Sequence, residues 1–61
     1  MQYSLRELRA RMNWTQAETA KKLGVSTTTY NAWEKNLGNV RIGRAKAIAD
    51  LFQVKLSELK V

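Results

Sequence analysis

Thr27, Thr28, Asn31, Ala32 and Lys35 share one face if their segment is helical. At about 100° per residue they fall within an arc of roughly 140°. They carry hydroxyls, methyls, one amide and one ammonium, and none is bulky or strongly apolar. Hydroxyls on a short helix can hydrogen-bond base edges, and small methyls can touch the thymine methyl, so this surface suits a nucleic-acid groove. Tyr30, Trp33 and Leu37 fall on the other side and face the core, and the aromatic Tyr30, Trp33 and Phe52 read as core residues rather than platforms for stacking bases. Threonine is a poor helix former, costing ~0.5 kcal/mol relative to alanine. With Thr27, Thr28 and Thr29 in succession, packing by Tyr30 and Trp33 must hold this helix.

The flanking sequence supplies the elements that would position that face. Thr15 and Glu18 have the spacing of a capping box, so Thr15 opens a helix. Ala17, Ala20 and Leu23 recur at steps of three as its buried stripe, while Glu18, Lys21 and Lys22 take the wet side. Gly24 stops it by accepting a positive φ, Val25 plugs the corner, and Ser26 caps a second helix from about Thr27 to Lys35. Upstream, Ser4 caps a helix to about Met12 with Leu5, Leu8 and Met12 at helical spacing, and Asn13 and Trp14 make a corner. Downstream, Asn36 to Arg41 has no helical period and reads as a loop. A fourth helix is expected from about Gly43 to Phe52 with Ala45, Ile48, Ala49 and Phe52 inward. A short fifth is expected at Ser57 to Leu59, returning Val54, Leu56 and Leu59 to the core. The expectation is an all-α single domain over residues 1–61, with five short helices around one core.

Sixty-one residues bury only about 60% of their unfolded surface, which leaves little room for an interior catalytic cavity. With no cysteine or histidine, disulfides, thiol chemistry and the usual zinc sites are excluded. The carboxylates Glu7, Glu18, Glu34, Asp50 and Glu58 are scattered, and no nucleophile has a base partner, so no enzyme is expected. Nor does anything call for a cofactor or a small-molecule substrate. Eleven basic against five acidic residues give a formal charge of +6, which favours a polyanionic partner. No apolar run nears the roughly 18 residues of a membrane span, and no signal region opens the chain. A cytoplasmic protein with no membrane partner is expected. Asn13, Trp14 and Thr15 spell a glycosylation sequon, but Thr15 is better read as a helix cap.

The spacing of Ala20, Gly24, Val25, Tyr30 and Trp33 resembles the helix-turn-helix of the Cro and phage-repressor (Xre-type) family of DNA-binding proteins. The blocks LRELRARMNWTQAETAKKLGVS, TYNAWE and IADLFQVKLSEL follow that family's order from Leu5 to Leu59. The resemblance implies a compact lambda-repressor-like domain with its helix-turn-helix at the second and third helices. It further implies a sequence-specific, double-stranded DNA-binding transcriptional regulator, repressor or Cro-like, in a bacterial cell or phage host. Such a protein would act as a homodimer on a palindromic operator, with two recognition helices about 34 Å apart in the major groove.

Carried over by position, Thr27, Thr28, Asn31 and Ala32 would contact bases. Gln16, Lys35, Asn36, Asn39 and Arg41 would contact phosphate, and Arg41 is also placed to enter a narrow minor groove. Arg9 and Glu34 would form a structural ion pair. Leu56, Leu59 and Val61 are candidates for dimer contacts. Thr19 stands where relatives carry leucine, no proline marks the loop before the fourth helix, and Gly43 weakens that helix start. Small residues replace the glutamine that relatives often present to the groove, which leaves the operator sequence open. Two other readings remain: the antitoxin of a toxin-antitoxin pair that represses its own promoter, and a basic helical module that meets an acidic protein. Met1 reads as a natural start, and the end at Val61 fits either a minimal Cro-like protein or one domain of a longer repressor.

Overall fold

The first three helices each begin where a short polar side chain takes up an orphan amide. In the computed structural model, which describes residues 2–60 and Asn39 by its backbone alone, α1 spans Leu5–Met12. The Ser4 hydroxyl accepts the Glu7 N–H at 3.1 Å, and the Glu7 carboxylate accepts the Ser4 N–H at 3.0 Å. At the start of α2 (Gln16–Leu23), Thr15 and Glu18 repeat the exchange at 3.1 and 2.9 Å. Ser26 Oγ accepts the Thr29 N–H at 3.1 Å and opens α3 (Thr27–Lys35). α4 (Ile42–Phe52) starts one residue before the expected Gly43, without a side-chain cap.

Three helices close on a residue in the left-handed region. Gly24 (φ 73°) ends α2 as its lack of a Cβ foretells, and Asn13 (φ 60°) and Gln53 (φ 55°) end α1 and α4. Nothing in the local sequence singled out Gln53.

Among the described residues there are four α-helices rather than five. The segment expected as a last helix at Ser57 to Leu59 is a single 3-10 turn, Leu56–Glu58. Three residues cannot close the i to i+4 ladder of an α-helix, so the tighter turn forms instead. The loop from Asn36 to Arg41 contains a second 3-10 turn, Leu37–Asn39, in which Asn36 Oδ1 accepts the Gly38 N–H at 3.0 Å. After the second turn the chain comes back to its own beginning. Tyr3 donates its N–H to Glu58 at 2.7 Å and accepts that of Lys60 at 2.8 Å, so the two ends are clasped by one parallel bridge.

Every helix contributes to one core. Leu5 and Leu8 from α1, Ala20 from α2, Tyr30 from α3, Leu37, Ala45, Ile48, Ala49 and Phe52 from α4 and its approach, and Leu59 from the end are all buried. Burying a side chain the size of leucine or isoleucine stabilises by about 1.5–3 kcal/mol, so the seven largest hold most of the fold. Two inward assignments change. Ala17 is exposed and Thr19 is fully buried in its place. Steps of three residues precess by about 60° on a helix, so Ala17 lies about 120° from Leu23, whereas Thr19, Ala20 and Leu23 cluster within about 100°. The Thr19 hydroxyl donates to the Thr15 carbonyl at 2.9 Å, which removes the cost of burying it.

Of the positions assigned to dimer contacts, Leu59 lies inside its own core, Leu56, also expected to return to the core, is exposed, and Val61 falls outside the described residues.

Candidate nucleic-acid interface

α3 is gripped on one side and bare on the other. Tyr30 is wholly buried, Trp33 packs against the core, and Ala20, almost without exposure, lets α3 approach α2 closely. On the opposite arc Thr27, Thr28, Ala32 and Lys35 are exposed. The three threonines divide by role. Thr29 gives its N–H to Ser26 and its hydroxyl accepts that of Ser26 at 2.9 Å, while Thr27 and Thr28 keep their side chains free among the described residues. Their hydroxyls therefore sit unspent at the helix start, the end whose free amides favour negative charge. Asn31 is half-buried, and its Oδ1 is enclosed without a hydrogen-bond donor.

Glu34 fixes how this helix is held. Its Oε2 accepts Arg9 Nε at 2.6 Å, and its Oε1 accepts Gln16 Nε2 at 2.9 Å. Arg9 also donates through Nη1 to the Trp14 carbonyl at 3.0 Å. One carboxylate thus joins α1, the corner after it, α2 and α3. Burial works against the charge on Glu34, but the hydrogen bonds from Arg9 and Gln16 outweigh it and hold the carboxyl below its usual range. The hydrogen bond to Glu34 raises Arg9 in turn, although burial opposes it. The Tyr30 hydroxyl lies buried beside this pair, and burial followed by the nearby carboxylate pushes its ionisation far up.

The remaining assigned residues lie as follows. Gln16, assigned to phosphate, is half-buried and donates one amide hydrogen to Glu34, with a second hydrogen left on the same nitrogen. Asn36 is exposed, with its oxygen committed to the 3-10 turn. Arg41 is exposed at the start of α4, and the side chain of Asn39 lies outside the described residues. The other acidic groups are largely occupied: Glu7, Glu18 and Glu58 each accept a backbone N–H at a turn or helix start. Arg6, which sequence reasoning passed over, joins Arg9, Gln16, Asn31, Glu34 and Lys35 around an open cleft of about 580 Å³ between α1 and α3. Its signal was a position three residues before Arg9, hence on the same side of α1.

A family model described as helix-turn-helix matches residues 5–59. The chain is 36% identical over 59 residues to an uncharacterized HTH-type transcriptional regulator of Archaeoglobus fulgidus, covering 97% of this chain and 83% of that protein. No solved structure matches the chain.

Proposed function

The chain belongs to the helix-turn-helix family of Cro and phage-repressor type, and from that premise we propose that it is a sequence-specific transcriptional repressor of double-stranded DNA. The observation that carries this reading is the outer arc of α3: side chains of groove-reading chemistry, unspent within the chain, on a helix whose inner side is locked by Tyr30 and Glu34. In this reading α3 enters the major groove by its N-terminal end. Thr27 and Thr28 hydrogen-bond base edges, Asn31 offers its amide to an adenine, and Ala32 touches a thymine methyl. Lys35, Asn36 and Arg41 meet phosphate beside the groove, with Asn39 assigned there by resemblance alone.

Size supports two copies on a palindromic operator. The chain measures 25 × 23 × 18 Å, shorter than the roughly 34 Å of one DNA turn, so one copy spans less than a turn. An apolar groove of about 270 Å³ lined by Leu37, Val40, Ile42, Ala45 and Leu56, with Ile42 64% exposed, supports contact between the copies beyond the end of α3. No helix among the described residues is long and apolar enough to cross a membrane, and the site of action in this reading is the cytoplasm, on DNA.

The test is a gel shift with duplexes selected from random sequence. Thr28→Glu should abolish the preference for the selected duplex and leave the thermal unfolding curve in place, because Thr28 is exposed. Retained preference in T28E would remove the assigned face from the account.

A further inference from the structure

The exposed arc of α3 is rich in methyl groups and poor in side chains that tell one base from another by hydrogen bonding. Thr27, Thr28 and Ala32 are exposed on it, and each ends in a methyl. A threonine hydroxyl both donates and accepts, so it pairs with almost any base edge and selects little. Asn31 cannot make the two-point contact that marks adenine, because its Oδ1 is enclosed. The contact to adenine assigned above therefore runs through the amide nitrogen alone, to N7, an acceptor that guanine also presents. Lys35 would favour guanine, but it is the last residue of α3, about 12 Å along the axis from Thr27, whereas such helices read with their first turns.

Methyl contact is the discriminating chemistry that remains. In the major groove a pyrimidine shows its 5-substituent, a methyl on thymine and a hydrogen on cytosine. With Thr27 as origin, about 100° per residue puts Thr28 near 100° and Ala32 near 140°, so these two stand on one row, a turn apart. Their Cβ atoms are then about 5–6 Å apart, close to two base-pair steps of about 3.4 Å each. Two methyls on that row match two pyrimidine methyls two steps apart. A methyl makes no hydrogen bond and is favoured by leaving water, whichever ring carries it. 5-Methylcytosine presents the same group at the same ring position as thymine.

We infer that α3 selects DNA by the 5-methyl groups of pyrimidines, with Thr28 and Ala32 as the residues that meet them. The inference rests on the DNA-binding reading above and names the feature of the operator that is chosen. 5-Methylcytosine then substitutes for thymine at those positions, and cytosine methylation converts a weak site into a stronger one.

The experiment titrates wild type, T28S, T28V and A32G at fixed salt against a duplex selected from random sequence. Each thymine of that duplex is replaced in turn by uracil, which removes the methyl and keeps every hydrogen-bonding edge. Wild type should lose about fourfold in affinity at each contacted thymine, the worth of one methyl-sized group kept from water. T28S keeps the hydroxyl and drops the side-chain methyl, so one of those losses should vanish; T28V keeps methyls and should keep the loss. A32G should erase the loss at a second thymine. With cytosine and then 5-methylcytosine, each opposite guanine, at a contacted position, the methylated base should bind about fourfold more tightly. A selected site without thymine, uracil replacements that cost nothing, or losses equal in wild type, T28S and A32G would each overturn the inference while the DNA-binding reading stands. So would 5-methylcytosine that binds no better than cytosine. Wild type that shifts no duplex at low salt and micromolar concentration removes the DNA-binding reading itself. Thr28 and Ala32 are exposed, so thermal melts should show all variants folded, and T28S against T28V carries the test if A32G melts early.

Discussion

Glu34 takes hydrogen bonds from two other helices while its side chain keeps only 8% of its exposure. A charge in that position is stabilising only while its partner remains. Replacing Arg9 by methionine alone, or Glu34 by leucine alone, strands the other charge and should cost about 3 kcal/mol, whereas R9M/E34L together should cost less than either. Urea unfolding of the three variants checks this, and purely additive losses would mean that the pair is not coupled. The same group sets an acid limb. Its folded-state pKa lies below the ordinary value of 4.5, so its contribution is complete above that value and is lost as pH falls through the lowered one. E34Q should therefore flatten part of the fall in the urea midpoint below about pH 5. A remainder should persist, because backbone hydrogen bonds from Ser4 and Thr15 also lower Glu7 and Glu18.

At the scale of elements, the recognition helix depends on its cap more than its composition. Ser26 satisfies the Thr29 amide and orients the Thr29 hydroxyl, leaving Thr27 and Thr28 to solvent. Ser26→Ala should lower stability by about 1 kcal/mol and weaken duplex binding beyond that loss, because α3 frays at the end assigned to the groove. Chemical denaturation and a binding titration on the same samples separate the two effects. The elements legible in the sequence were those written locally: Ser4 with Glu7, Thr15 with Glu18, and Gly24 with its positive φ all involve neighbours within one turn. What was not legible depended on register or on distant partners. Thr19 displaced Ala17 because the buried stripe does not follow steps of three indefinitely, and the last segment was too short for an α-helix. Gln16 turned to Glu34, 18 positions away, and Arg6 joined the cleft only once α1 lay beside α3.

For the whole molecule, one core binds four helices whose outer surface carries a net +6 charge. That charge supplies attraction to any duplex and fades as salt rises, so affinity alone says little about reading a sequence. Discrimination between sequences is assigned to the arc from Thr27 to Lys35. The most direct measurement is therefore a ratio: duplexes are selected from a random pool, and affinity for the selected sequence is compared with that for a scrambled duplex of equal length at the same salt. A sequence-specific repressor should bind the selected duplex at least about 10³-fold more tightly. Equal affinity for the two would contradict it.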